Sequence, residues 1–154
     1  MENCCEASVA DRSNPRLCPA CGHAGKSVGL ITLKALLRPA ALERLNSGEH
    51  YFCASSPCPV VYFGAGDVFR REDLLVPVFQ KEPEGRRTVC YCFDVTEDQI
   101  CREVDATGAS ASAERIRALV RNERCACEVR NPQGNCCLGN VTALVRSTEG
   151  VCVR

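Results

Sequence analysis

The sequence predicts an α+β fold: a small helix-plus-sheet module with a flexible amino-terminal tail over residues 1–80, then a small, mostly helical module over residues 89–154. Three observations carry this. The 154-residue chain holds fourteen cysteines, which fall into two groups, Cys4 to Cys58 and Cys90 to Cys152, separated by 31 residues without any. Apolar residues come in short β-branched or aromatic runs before the gap and at helical spacing after it. Within the gap, Gln80 to Thr88 (QKEPEGRRT) is charged, contains Pro83 and Gly85 and lacks apolar periodicity, so it reads as a connector.

In the first module, Leu30 to Leu37 followed by Pro39 and Ala40 to Leu45 predicts two short helical stretches broken at the proline and ending near Gly48. Tyr51-Phe52-Cys53, Val60 to Phe63 and Leu74 to Val78 read as strands, punctuated by Pro57, Pro59, Gly64 and Gly66. In the second module, Thr96-Glu97-Asp98-Gln99 has capping-box spacing and opens a helix with Ile100 and Val104 on one face, stopping before Gly108. A further helix is expected from Ser112 as N-cap, with Ile116, Leu119 and Val120 on its apolar face. A third of about two turns starts near Asn140, with Val141, Leu144 and Val145 inward.

Nineteen basic residues balance nineteen acidic ones. The chain therefore lacks the one-signed field of a nucleic-acid binder. No apolar run approaches membrane-spanning length, so no membrane insertion is expected. No nucleophile-base pair or glycine-rich phosphate loop points to a classical enzyme; at most the chemistry is that of a metal-ion reductase or electron-transfer protein. Eight aromatic residues and no tryptophan are few for holding a core by buried area alone. The start, Met1-Glu2-Asn3-Cys4-Cys5-Glu6, has no apolar signal stretch, which places the chain in the cytoplasm. Thiols stay reduced there, so the cysteines read as metal ligands rather than disulfides.

Cys18-Pro19-Ala20-Cys21-Gly22 is a C-x2-C knuckle, and Cys53 to Cys58 is a second pair spaced C-x4-C. Together they make a closed four-thiolate site, structural rather than catalytic and suited to Zn2+. His23 and His50 lie close enough in sequence to be alternatives to one of the four. Zinc binding supplies folding free energy that a small apolar core lacks.

In the second module, Cys90-Tyr91-Cys92 is a C-x-C pair. Its two sulfurs on one side of a loop can hold a single iron while a distant pair holds the other, the arrangement of a 2Fe-2S cluster. The distant pair comes from Cys125, Cys127, Cys136 and Cys137. Asn131-Pro132 and Gly134-Asn135 are turn signals that would fold the intervening loop back over the iron.

The runs VCYCFDVTEDQI and RCACEVRNPQGNCCLGNV, with CPACG and YFCASSPCPVVYF upstream, resemble the N-terminal cluster-and-zinc domain of CopZ-type copper chaperones, over roughly Cys18 to Val145. The second module alone is similar to bacterioferritin-associated ferredoxin. The resemblance implies one zinc, one 2Fe-2S cluster and a link to copper handling. It also implies, through a ten-residue separation, Cys127 and Cys137 as the second cluster pair, with Cys125 and Cys136 as the alternative. The partners it implies are a metal-transporting ATPase or another metal-handling protein, and an electron donor. The resembled chaperones continue into a copper-binding domain with a Met-x-Cys-x-x-Cys loop, which is not in this sequence. The cargo site is therefore expected elsewhere, on a partner, or for another thiophilic ion such as Hg2+.

Of the remaining cysteines, Cys101 reads as a small buried hydrophobe. The vicinal pair Cys4-Cys5 offers two soft thiolates for Cu+ or Hg2+. The favoured function is a cytoplasmic metal-trafficking protein whose cluster supplies an electron to the cargo. The alternatives are a ferredoxin-like one-electron donor to an enzyme and a zinc-ribbon interaction module.

Overall fold

The computed structural model of the chain describes residues 14–151. Its first half is an antiparallel sheet of four strands in the order β1 (Lys26–Val28), β2 (His50–Phe52), β3 (Val60–Gly64) and β4 (Asp67–Arg70). Helices α1 (Leu30–Leu36) and α2 (Pro39–Leu42) occupy the β1–β2 connection. The break between them has a local cause. Arg38 precedes a proline and is held extended (φ −65°, ψ 154°), and Pro39 then opens α2, where its missing N–H costs nothing.

Alternation along the strands gives the sheet two apolar sides. Phe52, Tyr62 and Phe69 join Leu33, Leu37 and Ala41 of the helical layer in one core. Tyr51, Val60 and Phe63 pack with Cys18, Cys53 and Cys58 in another. Burying a side chain of this size is worth about 1.5–3 kcal/mol. Two of these strands went unseen in the sequence: β1 and β4 are short, and polar residues take two of the three positions of β1 and two of the four of β4. Conversely, Leu74 to Val78 is not a strand. Leu74 makes one isolated bridge to Leu37, and the segment is apolar because Leu74 and Val78 pack into the helix-side core.

The second half opens with a hairpin of β5 (Thr88–Cys90) and β6 (Val95–Thr96). Helices α3 (Glu97–Thr107), α4 (Ser112–Arg121), α5 (Cys127–Arg130) and α6 (Leu138–Val151) follow. The expected cap of α3 is present: Thr96 Oγ1 accepts from the Gln99 N–H at 3.2 Å. At the other end Gly108 takes the left-handed conformation (φ 80°) and its N–H bonds Val104 O, the terminator a glycine allows without strain. Ser112 is the first residue of α4 rather than its cap, because its hydroxyl donates to Glu103 instead. The last helix begins two residues earlier than expected and runs for 14 residues. Packing of Val141, Leu144 and Val145 against Ile100 and Ile116 gives it the tertiary support that two isolated turns would lack. Cys101 is only partly buried and lies outside that core.

The charged segment between the halves is pinned at several points. Phe79–Lys81 forms a single 3-10 turn, and Lys81, only 5% exposed, donates from Nζ to Ser55 O and Cys58 O at 2.8 and 2.9 Å. Arg87 forms a two-pronged ion pair with Glu97 (2.8 and 3.1 Å) and stacks on Phe79.

The Arg87 fork, helped by the Gly85 N–H and opposed by burial, holds the Glu97 carboxyl below the usual carboxylate range. A folded-state pKa depressed in this way contributes stability above the unfolded value and loses it as the pH falls through the folded one. Glu97→Gln is therefore expected to cost about 1.5–3 kcal/mol at neutral pH. The difference from wild type should close as the pH drops below about 4.3, the ordinary Glu value. Melting curves of both proteins from pH 7 downward check this; a gap that stays constant with pH contradicts it.

The halves also meet face to face. Tyr62, fully buried, donates to Pro132 O at 2.6 Å, and Thr32 donates to Glu128 O at 2.6 Å. Gly134 (φ +75°) presses so closely on Val28 and Thr32 that a Cβ would sit 2.8 Å from Val28 Cγ2. The loop between α5 and α6 thus rests on β1 and α1 of the first half.

Candidate metal centres

Cys18 and Cys21 sit in the turn that precedes β1, folded by Gly22 N–H to Cys18 O and Cys18 N–H to His23 O, both 2.8 Å. Cys53 directly follows β2, and Cys58 stands two residues before β3. Neighbouring antiparallel strands therefore bring the second pair beneath the first. The four Sγ atoms all lie within 4.8 Å of one another. Among the described residues they are the one such grouping of three or more cysteine, histidine or acidic side chains.

The spacing tests what belongs between them. Cys18 and Cys58 sulfurs are 3.8 Å apart, and Cys21 and Cys53 are 3.7 Å apart. A disulfide needs about 2.05 Å. A tetrahedral ion with metal–sulfur bonds of about 2.3 Å places neighbouring sulfurs roughly 3.8 Å apart, so the set fits zinc without rearrangement.

Electrostatics agree with that fit. Burial pushes the Cys53 thiol up to about 12 against the opposing Ser55 N–H and Lys81 ammonium. Burial raises Cys58 as well, against the Val60 N–H. At Cys21 burial also acts upward, but hydrogen bonds from His23 outweigh it together with those of Cys53 and Cys18, and hold the thiol near 6. Four thiolates in so small a volume need a divalent cation; the amide hydrogens and the Lys81 ammonium disperse the charge that remains. Nothing in the sequence marks Lys81 for this task, since it sits in a charged run that looks solvated.

Neither histidine joins the site. His50 is 1% exposed, with Nδ1 2.8 Å from Gly48 O and Nε2 2.9 Å from Asp67 Oδ2, so both nitrogens already face oxygen acceptors. His23 is exposed and contributes its hydrogen bonds to Cys21.

The second group is built differently. Cys90 ends β5, Cys92 lies in the hairpin turn, Cys127 opens α5 and Cys137 immediately precedes α6. Cys92 and Cys127 sulfurs approach to 3.6 Å. Cys90 and Cys137 form the other close pair, both buried and hydrogen-bonded to each other. That bond holds the Cys90 thiol down to about 7, aided by the Phe93 and Cys92 amides and opposed by burial. The same bond, with burial behind it, drives Cys137 far up. Burial first and the neighbouring Cys92 second push Cys127 up to about 12. The Cys137 N–H donates to the Cys127 sulfur, and the Ala126 N–H to the Cys92 sulfur at 3.2 Å.

Cys92 and Cys127 stand at the spacing of ligands on one tetrahedral metal, and with Cys90 and Cys137 interacting as a second pair the arrangement suits a two-metal group better than a single ion. The close pairs run across the motifs. The C-x-C spacing suggested Cys90 and Cys92 on a common iron, whereas here each sulfur of that motif is matched with one from the later loop. The hairpin turn is responsible: Cys90 points into the helical core while Cys92 stays partly exposed beside α5.

Cys136 is exposed and Cys125 partly so; each lies near the group without such a close sulfur partner. Cys4, Cys5 and Cys152 lie outside the described residues. Among the described residues no helix is long and apolar enough to cross a membrane.

Comparison with known proteins agrees with this layout. Residues 15–75 match the family described as a CopZ-type zinc binding domain. The curated copper chaperone CopZ of Archaeoglobus fulgidus is 34% identical over 120 residues, which is 78% of this chain and 57% of that protein. The chain thus spans little more than half the length of that relative. The X-ray structure of the Archaeoglobus fulgidus CopZ N-terminal domain superposes with a TM-score of 0.70 at 31% identity, covering 83% of this chain and 96% of that one. A sulfur site fitted to zinc, a sheet-and-helix frame and this likeness over nearly the whole of a solved domain place the chain in the family of the CopZ N-terminal domain.

Proposed function

We propose that the chain holds one structural zinc on Cys18, Cys21, Cys53 and Cys58, and one 2Fe-2S cluster on Cys90, Cys92, Cys127 and Cys137. On this reading it serves cytoplasmic handling of a thiophilic metal, copper first, by making an electron available where the cargo ion is received. The observation that supports it best is the division of the second sulfur group into two pairs, Cys92 with Cys127 at 3.6 Å and Cys90 with Cys137 in the core. The name of the Archaeoglobus relative, a copper chaperone, supports copper as the cargo; on this reading the partner is a metal-transporting ATPase or another metal-handling protein.

A 2Fe-2S cluster supplies one electron at a time, at a potential set by its hydrogen bonds and exposure. The chain's own residues set those conditions. Cys90 and Cys137 are buried, and Cys92 and Cys127 face the more open side. The Ala126 and Cys137 amides donate to Cys92 and Cys127 respectively. The open side is therefore the more accessible for electron exchange.

Anaerobically purified protein should contain one zinc and two irons per chain, with visible charge-transfer bands and, after reduction, an electron paramagnetic resonance signal of a single unpaired electron. Purified protein without iron after reconstitution overturns the cluster. Stoichiometric Cu+ binding separates metal trafficking from the ferredoxin-like alternative.

A further inference from the structure

With Cys127 and Cys137 matched to the C-x-C sulfurs, Cys125 and Cys136 are left over. They are not scattered. Both line one cavity of about 440 Å3, and Cys127 lines it with them. Val120 and Val129 supply its apolar wall, and Glu128 one carboxylate.

Each thiol is carried by backbone that is already fixed. On the Cys136 side, Asn131 Nδ2 donates to Asn135 O at 2.8 Å and Gln133 Nε2 to Cys136 O at 3.0 Å. On the Cys125 side, the Arg124 N–H bonds Leu119 O at 3.0 Å, and the Ala126 N–H bonds the Cys92 sulfur. Neither sulfur is spent on a disulfide. Two free thiols on opposite loops of one partly apolar cavity are the donor set for a soft ion of low coordination number, which hard oxygen-seeking cations would not prefer.

We infer that Cys125 and Cys136 form a docking site for a Cu+ ion in this cavity, next to the cluster ligand Cys127. The inference rests on the function proposed above and names the place where its cargo is received. Binding needs no oxidant or reductant. Each S–H bond gives way to an S–Cu bond, two protons leave to solvent, and the copper remains Cu+. Because Cys127 lines the same cavity, an ion there lies beside a ligand of the electron-supplying group.

The test uses the full chain with zinc and cluster in place, in a Cys4→Ser, Cys5→Ser background that removes the other candidate pair. Cu+ is added anaerobically against a chromophoric Cu+ chelator, and X-ray absorption reports the sulfur donors. One equivalent should bind to sulfur alone. Adding Cys125→Ser and Cys136→Ser should weaken binding by at least about 100-fold, while zinc, iron and the visible spectrum stay unchanged. Cys136→Ser alone, at an exposed position that does not threaten folding, should weaken it by at least about 10-fold.

Undiminished Cu+ affinity in the double variant overturns this site and leaves the trafficking role standing. Loss of iron from that variant also overturns it, because the two thiols would then be cluster ligands. Failure of the wild-type chain to bind Cu+ at all overturns the site and the trafficking role together.

Discussion

The Cys18→Ala, Cys53→Ala double variant should lose its zinc and, with it, the folded state of the first half of the chain. One sulfur is removed from each knuckle, so neither C-x2-C nor C-x4-C can rebuild the site alone. Structural zinc contributes about 10–16 kcal/mol to small domains that depend on it. An ordinary domain has a net stability of only about 5–15 kcal/mol. The sheet cannot absorb such a loss, because Cys18, Cys53 and Cys58 are themselves part of the core with Tyr51, Val60 and Phe63. Less than about a tenth of an equivalent of zinc is expected, together with rapid proteolysis between residues 15 and 75. A variant that keeps a full equivalent of zinc would show that other residues hold it.

Replacing Cys90 or Cys137 by Ala should abolish the visible spectrum and the bound iron while leaving one zinc in place. These two sulfurs are 0% and 2% exposed, within the core that also holds Ile100, Ile116 and Val141. Water or a neighbouring side chain cannot easily take over as ligand there. Cys92→Ala and Cys127→Ala should also lose iron, but at the open side, with a smaller fall in melting temperature. Cys125→Ala and Cys136→Ala should keep the cluster. Iron analysis with absorption spectra of all six variants decides the ligand set. A cluster retained without Cys137 and lost without Cys136 would transfer the assignment to the neighbouring residue.

The spacing of cysteines made the first site readable before any coordinates, because a knuckle is a local object. Its two halves need only adjacent strands to meet. Helix α3 was equally legible, since Thr96 and Gly108 mark its ends by local chemistry. Strands β1 and β4 were not, because three or four residues with polar neighbours carry no period. Leu74 to Val78 misled in the opposite sense: it is apolar for the sake of the helix-side core, and its backbone follows no ladder. The matching of Cys92 with Cys127 and Cys90 with Cys137 depends on which way a hairpin turn aims two side chains. Sequence spacing does not encode that direction. Lys81 was hidden for a related reason, as its charge looks solvated until the Ser55 and Cys58 carbonyls are seen around it.

The contact of the α5–α6 loop with β1, α1 and Tyr62 has a consequence for the order of events during synthesis. Every cysteine of the first site has been joined to the chain by residue 58, and the first cysteine of the second group follows 32 residues later. At 5–20 residues per second that is a lead of roughly 2 to 6 seconds. The surface that receives Pro132 and Gly134 can therefore be finished before the loop that lands on it exists. Zinc supply would then govern how much nascent chain becomes competent to accept iron, so that starvation for one metal appears as deficiency in the other.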